Sequence, residues 1–576
     1  MSNRTDKRDV DWPLRPWLMA AICAAAGLVL NLLTDVTHPA TPSAARQAGA
    51  TFVVIAAVSF VMTVEQRRWL WSLAFALGWG AVAALVGWFT ASYNSHPTIF
   101  EWPFLSGLFA VLLAAPLFQT VRDEGAWRFP YARLHRHAWT DAVIGAASLG
   151  FVGVTFLLAW LIAGLFDLIG IDVVKDLLGE SWFGWLLAGF AFGAAVGLLR
   201  ERDALVATLQ RLVMVVLGVL APVLAAALVL FLASLPFTGL RGLWGSSLPA
   251  TGLMLLAGAG AVLLANAVIG NGEDDRSLSR VLRISAVALV LAVLPLAIIA
   301  ALSIGQRIGQ YGWTPERIWG VVAVAVAVAY GAAGWWTVAK GRDGFDDLLR
   351  PVQTRLALGL CELALFLALP ILDFGAISAS SQMARLTGGK VDAKQFDWQA
   401  MAFDFGPAGR RRLAEIARRA PPDQRRLAAA ALISKNRYEV ENDLAKRDSL
   451  ANLDRFLRVI PEGAAVTPRL REAIAATRFC RSDPCVLVMV DQDRAVLAGD
   501  WRGSEAVQSQ LLALASDGNW AETSATRMPI PSPVKGQAAV PASAARPNLA
   551  TAPVEVRTVE RRQLYIDGKR VGEAFD

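Results

Sequence analysis

Histidine is almost absent from this chain: four residues in 576, none in the middle of an apolar run. Haem ligation and intramembrane metal chemistry need imidazole at depth, so no metal and no other cofactor is expected. Cysteine is equally scarce, at four residues. There is no Gly-Lys-Ser/Thr phosphate loop, no His-Glu-x-x-His and no Gly-x-Ser-x-Gly, so no catalytic motif marks the chain as an enzyme. Charge is sparse too, at 18% of residues against about 25% in ordinary soluble domains. The net charge of +7 divides as +2 over residues 1–372 (25 basic, 23 acidic) and +5 beyond (30 basic, 25 acidic). Neither part carries a Lys/Arg stripe interleaved with aromatics, so no nucleic-acid partner is expected.

What the chain has in place of charge is long apolar runs. A helix needs about 20 mostly apolar residues to cross the hydrocarbon core. Such runs occupy 17–33, 50–64, 69–91, 103–121, 142–169, 182–199, 212–233, 250–269, 284–304, 318–339 and 356–372. The expected fold is an all-α polytopic membrane bundle of about 11 transmembrane helices, with the lipid bilayer as its first partner. A cytoplasmic tail (1–16) precedes it. An extracytoplasmic α+β domain (373–527), a Pro/Ala-rich linker (528–553) and a C-terminal β-hairpin segment (554–576) follow.

Basic residues of short loops orient a bundle. The tail and alternate loops hold 20 Lys/Arg, including Arg67, Arg68, Arg122, Arg128, Arg133 and Arg136, whereas the opposite loops hold only Arg46, Lys175, Arg241, Arg307 and Arg317. The expectation is a multi-pass protein of a bacterial inner membrane, N-terminus cytoplasmic and C-terminal domain periplasmic. Trp residues flank many spans (Trp17, Trp69, Trp102, Trp182, Trp319, Trp335, Trp336), as interfacial belts do.

In the tail, 408–419, 423–434 and 439–460 read as helices, with strands at 486–490, 494–497, 554–559, 563–566 and 569–574. Asp567-Gly568 suits a tight hairpin turn. Cys480 and Cys485 are too far apart for a Cys-x-x-Cys redox motif, and the tail offers no His or further Cys to complete a zinc site. In an oxidising compartment they are expected to form a local disulfide.

Ionisable groups inside apolar runs are costly, so each is a functional candidate. Glu362 in the last run is the clearest. Asn266 in the eighth reaches a similar depth, so a Glu362–Asn266 contact is geometrically open. Glu362 reads either as a protonatable or cargo-contacting group, or as a carboxyl hydrogen-bonded between helices. Asp141 at a run's edge and His135 and His137 on a basic segment read as interfacial groups. Gly189, Gly193 and Gly197 form a small-residue face suited to helix packing. Pro222, Pro295 and Pro370 fall within the seventh, ninth and eleventh runs and are expected to kink them.

Three segments carry a family resemblance: LFQTVRDEGAWRFPY at 117–131 leading into LHRHAW at 134–139, LPFTGLRGLW at 235–244, and RIGQYGWTPERIW at 307–319. Together with the run count, they resemble a bacterial multi-pass membrane family, domain of unknown function 4153, over about residues 50–400. The resemblance implies a cytoplasmic-membrane location and transfers no catalytic residue. In the third segment Arg307, Gln310, Tyr311 and Arg317 make a polar outward loop, read either as re-entrant and gate-like or as a turn docked on the tail. The functional expectation is a transporter or a translocator of lipids or envelope precursors. The alternative is a non-catalytic platform whose periplasmic domain binds an envelope protein.

Overall fold

The computed structural model describes residues 12–34, 43–91, 97–239, 250–272, 279–435, 453–477, 479–480, 483–499, 508–515, 517–522, 562–566 and 569–575, with isolated positions between them. The chain forms two compact units, Met1–Leu432 and Ile433–Asp576.

The first unit is helical. Its elements are α1 (Arg15–Thr34), α2 (Ala44–Thr63), α3 (Trp69–Ala91), α4 (Pro97–Glu124), α5 (Tyr131–Asp167), the short α6 (Val173–Gly179), α7 (Ser181–Glu201) and α8 (Asp203–Thr238). They continue as α9 (Ala250–Ile269), α10 (Arg280–Tyr311), α11 (Pro315–Gly341), α12 (Phe345–Ala368), α13 (Phe374–Thr387), α14 (Gly406–Arg419) and α15 (Pro422–Ile433). Among the described residues, 11 helices are long and apolar enough to cross a membrane. The protein is a multi-pass membrane protein.

Packing sorts the spans into two groups. The first is α1, α2, α3, α4, α5 and α7, and the second is α8 to α12; α4 against α12 is the main seam between them. At that seam Ser106 donates to the Ala364 carbonyl at 2.8 Å. In the second group Ala261, Leu289, Leu296 and Ala300 are fully enclosed between α9 and α10. Pro222 and Pro295 lie inside α8 and α10. Pro370, however, lies past the end of α12, because Leu369 before it is extended (φ −80°, ψ 150°). A proline pushes its preceding residue out of the helical region, so it stops this span and does not kink it.

Bilayer lipid is as apolar as leucine, so membrane helices associate through close packing more than through hydrophobic exclusion. The contact of α1 with α7 shows this most plainly. Any Cβ at Gly189, Gly193 or Gly197 would overlap the α1 backbone at Cys23, Met19 and Pro16 respectively. Gly27 of α1 meets the Trp185 carbonyl in the same way.

The second unit holds a five-stranded sheet in the order β1 (Leu457–Ile460), β2 (Cys485–Met489), β3 (Arg494–Gly499), β4 (Gln508–Leu514), β5 (Trp520–Glu522). The β1–β2 pair is parallel, and the others are antiparallel. Helix α16 (Pro468–Ala476) makes the crossover that a parallel pair requires. Leu470 and Ile474 of α16 join Leu487, Leu497 and Leu512 in one core. Residues 457–460 are therefore strand and not the end of a helix. Their β-branched Val459 and Ile460 pair with Leu487 and Val488, and tertiary pairing overrides local pattern. At the β2–β3 turn, the hydrogen bond from Arg494, helped by the Asp493 N–H, holds the Asp491 carboxyl below its ordinary range. A separate hairpin pairs β6 (Arg562–Ile566) with β7 (Lys569–Phe575). The strand read at 554–559, the linker at 528–553 (apart from isolated positions) and the Asp567-Gly568 turn lie outside the described residues.

Cys480 and Cys485 are joined in a disulfide, and both are buried in the sheet core. Neither cysteine is expected to react with iodoacetamide in the native, non-reduced protein, and both should react after reduction and unfolding. Intact-mass spectrometry reads the difference. Replacing Gly193 by Leu should destabilise the protein by about 3 kcal/mol or more, the upper end for overpacking, because backbone stands where the side chain would go. Gly184→Leu, with no atom of a neighbouring helix within 4 Å of its Cβ position, should leave the melting temperature in detergent unchanged.

Candidate functional site

Polar side chains of the helical unit gather at the two ends of the spans. A helix leaves its last carbonyls without intrahelical donors, and at the edge of hydrocarbon these need protein partners. Around the end of α2 they find them. Arg122, only 1% exposed, donates to the Thr63 carbonyl and pairs with Glu65. It also bonds Asp123 at 3.0 Å. Arg200 donates to the Val61 carbonyl at 2.9 Å, and Gln119 to that of Met62 at 3.2 Å. Arg15 in turn donates to the Arg200 carbonyl at 3.1 Å, and Arg68 to that of Arg122. Asp141 accepts both its bonds from the Gln119 amide, at 3.0 and 3.1 Å. It therefore faces a helix partner.

The α4–α5 connection joins this cluster to a second. His137 pairs with Asp123 at 3.0 Å. His135 turns the other way, its Nδ1 2.6 Å from Asn271 Oδ1, while Trp139 Nε1 donates to its Nε2 at 3.0 Å. That network assigns the proton to Nδ1. Two helix positions are about 200° apart, so the two rings cannot share a ligand. Nearby, Arg350 binds Asp346 at 2.9 Å, Asp347 at 2.7 Å and the last carbonyl of α9, Ile269, at 3.2 Å.

Asn266 belongs to this second cluster. Its Oδ1 accepts from Gln353 at 2.6 Å. Glu362 does not reach it. Nine residues separate Gln353 from Glu362, and at about 100° per residue that places them on opposite faces of α12. Glu362 is exposed, in a stripe with Arg355, Gly359 and Phe366. Helix α12 packs on α4 and α11, so its carboxyl points away from the bundle.

At the other end of α10, Arg307, Gln310, Tyr311 and Arg317 come together at a tight turn. Gly312 has φ 77°, and a Cβ there would stand 2.7 Å from Arg385 Cδ. Thr314 stands extended at the N-terminal boundary of α11, and Pro315 opens the helix. Helix α13 grips the turn: Ser381 accepts from the Trp313 N–H at 3.2 Å, and Gln382 donates to the Tyr311 and Trp313 carbonyls at 2.9 and 3.1 Å. Arg385 donates to the Gln310 carbonyl at 2.6 Å. Arg317 closes the turn on the Gly312 carbonyl at 2.5 Å and lies over the Tyr311 ring, 5.6 Å from its centroid. The segment is a docked turn and does not re-enter the bundle. Sequence reading missed α13's part in it, although Ser381, Gln382 and Arg385 recur at helical spacing on one face.

Replacing Arg122 by Met should destabilise the protein by about 1–3 kcal/mol, the cost of taking the donor from a buried acceptor, because its carboxylate partners Glu65 and Asp123 are partly exposed. Arg128→Met, in the exposed connection, should stay within about 0.5 kcal/mol. Thermal unfolding in detergent distinguishes them.

No curated protein and no solved structure matches the chain. Residues 50–403 match the family described as Domain of unknown function (DUF4153). That match begins within α2, runs through α13 and takes in both polar clusters, apart from Arg15, and the docked turn. The chain belongs to the DUF4153 family.

Proposed function

We propose that this protein translocates a lipid or lipid-linked envelope precursor in a bacterial cytoplasmic membrane. The observation that carries the reading is the outward-facing carboxyl of Glu362. It stands seven residues beyond Arg355 on α12, about 10 Å further along the helix. An ionisable group aimed at hydrocarbon is expensive and marks a function. A path for a water-soluble solute would put such groups inside the bundle, but there Asn266, Gln353, Gln119 and Asp141 bond one another in pairs and the buried arginines bond helix-end carbonyls. A polar headgroup passing along the outer surface of α12, its acyl chains still in the bilayer, would meet Glu362.

The Lys/Arg asymmetry of the loops supports an N-terminus in the cytoplasm and the sheet unit outside. The oxidised cysteine pair agrees with that placement.

The test is reconstitution into liposomes carrying a fluorescent phospholipid whose outer-leaflet fraction is bleached by dithionite. Lipid movement should exceed that of protein-free liposomes and fall to their level in Glu362→Gln, with insertion and melting temperature unchanged. Normal movement in Glu362→Gln would remove the role of the carboxyl. No movement in the wild-type protein would leave the alternative, a platform whose sheet unit binds an envelope protein; that reading is favoured by the sheet forming a compact unit of its own.

A further inference from the structure

The turn between α10 and α11 collects three guanidinium groups. Arg317 and Arg385 are held on its carbonyls at Gly312 and Gln310, and Arg307 lies one helical turn before Tyr311. Arg317 is within electrostatic reach of both Arg307 and Arg385. Glu316 acts on Arg317 in the opposite sense to the two other arginines. Among the described residues none of the three arginines forms an ion pair. Arg385 Nε is buried without a hydrogen-bond partner. Buried donors are normally satisfied, and an orphan of this kind calls for an acceptor. Like charges repel, and an anion joining them relieves that repulsion.

The surroundings place that anion at a membrane interface. Tyr311 and Trp313 are exposed beside the arginines. One turn into α11, Trp319 stacks on Trp102 with ring centroids 5.7 Å apart and meets Phe374 of α13 edge-on at 5.3 Å. Aromatic groups at this level form the belt that sits among headgroups. Guanidinium groups match phosphate oxygens in a planar, two-pronged geometry.

We propose that Arg307, Arg317 and Arg385 form a binding site for a phosphate group at the α10–α11 end of the bundle. Its position within an aromatic belt makes a phospholipid headgroup the fitting source, with free phosphate the other carrier of the same chemistry. The site goes beyond the translocation reading and stands whether or not lipid is moved.

Arg307 is the residue to change, because it makes no hydrogen bond or ion pair among the described residues and its loss should not disturb the turn. The full-length protein is placed in nanodiscs of phosphatidylcholine alone and of phosphatidylcholine with phosphatidylglycerol, and lipids retained after mild detergent extraction are counted by native mass spectrometry. A parallel titration uses inorganic phosphate. Phosphatidylglycerol should be retained over phosphatidylcholine, and Arg307→Gln should weaken that retention about tenfold, the size of one charge-assisted hydrogen bond. Arg307→Lys should recover part of it. Arg128→Gln, at the other end of the bundle, should change nothing. Phosphate binding that is lost in Arg307→Gln without lipid preference would support the site with a soluble source. No binding of either ligand, or an equal loss in Arg307→Gln and Arg128→Gln, would overturn it.

Discussion

A carbonyl at the end of a membrane helix has neither a following turn nor reliable water to bond it, and much of this structure is arranged around that constraint. The end of α2 is the clearest case. Three successive carbonyls, of Val61, Met62 and Thr63, are bonded by Arg200 of α7, Gln119 of α4 and Arg122 of α4. One helix end is thereby tied to two others. The same device recurs where Arg350 of α12 reaches the end of α9 and Arg15 of α1 reaches the end of α7. The basic residues that bias orientation in sequence are, in the fold, also the donors that join the spans.

The two ends of the bundle meet the constraint differently. At the α4–α5 end, long charged side chains from many helices converge, and the connection itself, with His135 and His137 facing apart, links the first group of helices to the second. At the α10–α11 end a single helix, α13, lies beside one turn and binds it through three side chains. That arrangement brings positive groups together beyond what their carbonyl partners require.

Span positions were legible because crossing a bilayer is a local property: about 20 apolar residues suffice to declare it, and each run can be read alone. The packing face at Gly189, Gly193 and Gly197 was legible for the same reason, since its spacing lies within one helix. Partnership is not local. Glu362 and Asn266 share a depth, yet depth leaves rotation open, and the side chain that meets Asn266 is Gln353, half a turn round α12. Arg122 looked like one more loop arginine, and only the fold shows it buried. In the sheet unit, β1 was hidden because four residues carry little periodicity, and their strand character comes from Cys485–Val488 across the ladder.

The contact of α1 with α7 has a consequence for how the protein is made. Arg15 and Arg200, which close that contact, are 185 residues apart. At a synthesis rate of about 5–20 residues per second, the first span emerges roughly 10–40 seconds before the helix it packs against most closely. During that interval its small-residue surface at Gly27, shaped for backbone contact, faces lipid or the insertion machinery. Helix α1 thus waits for its main partner while α2 to α6 are synthesised between the two.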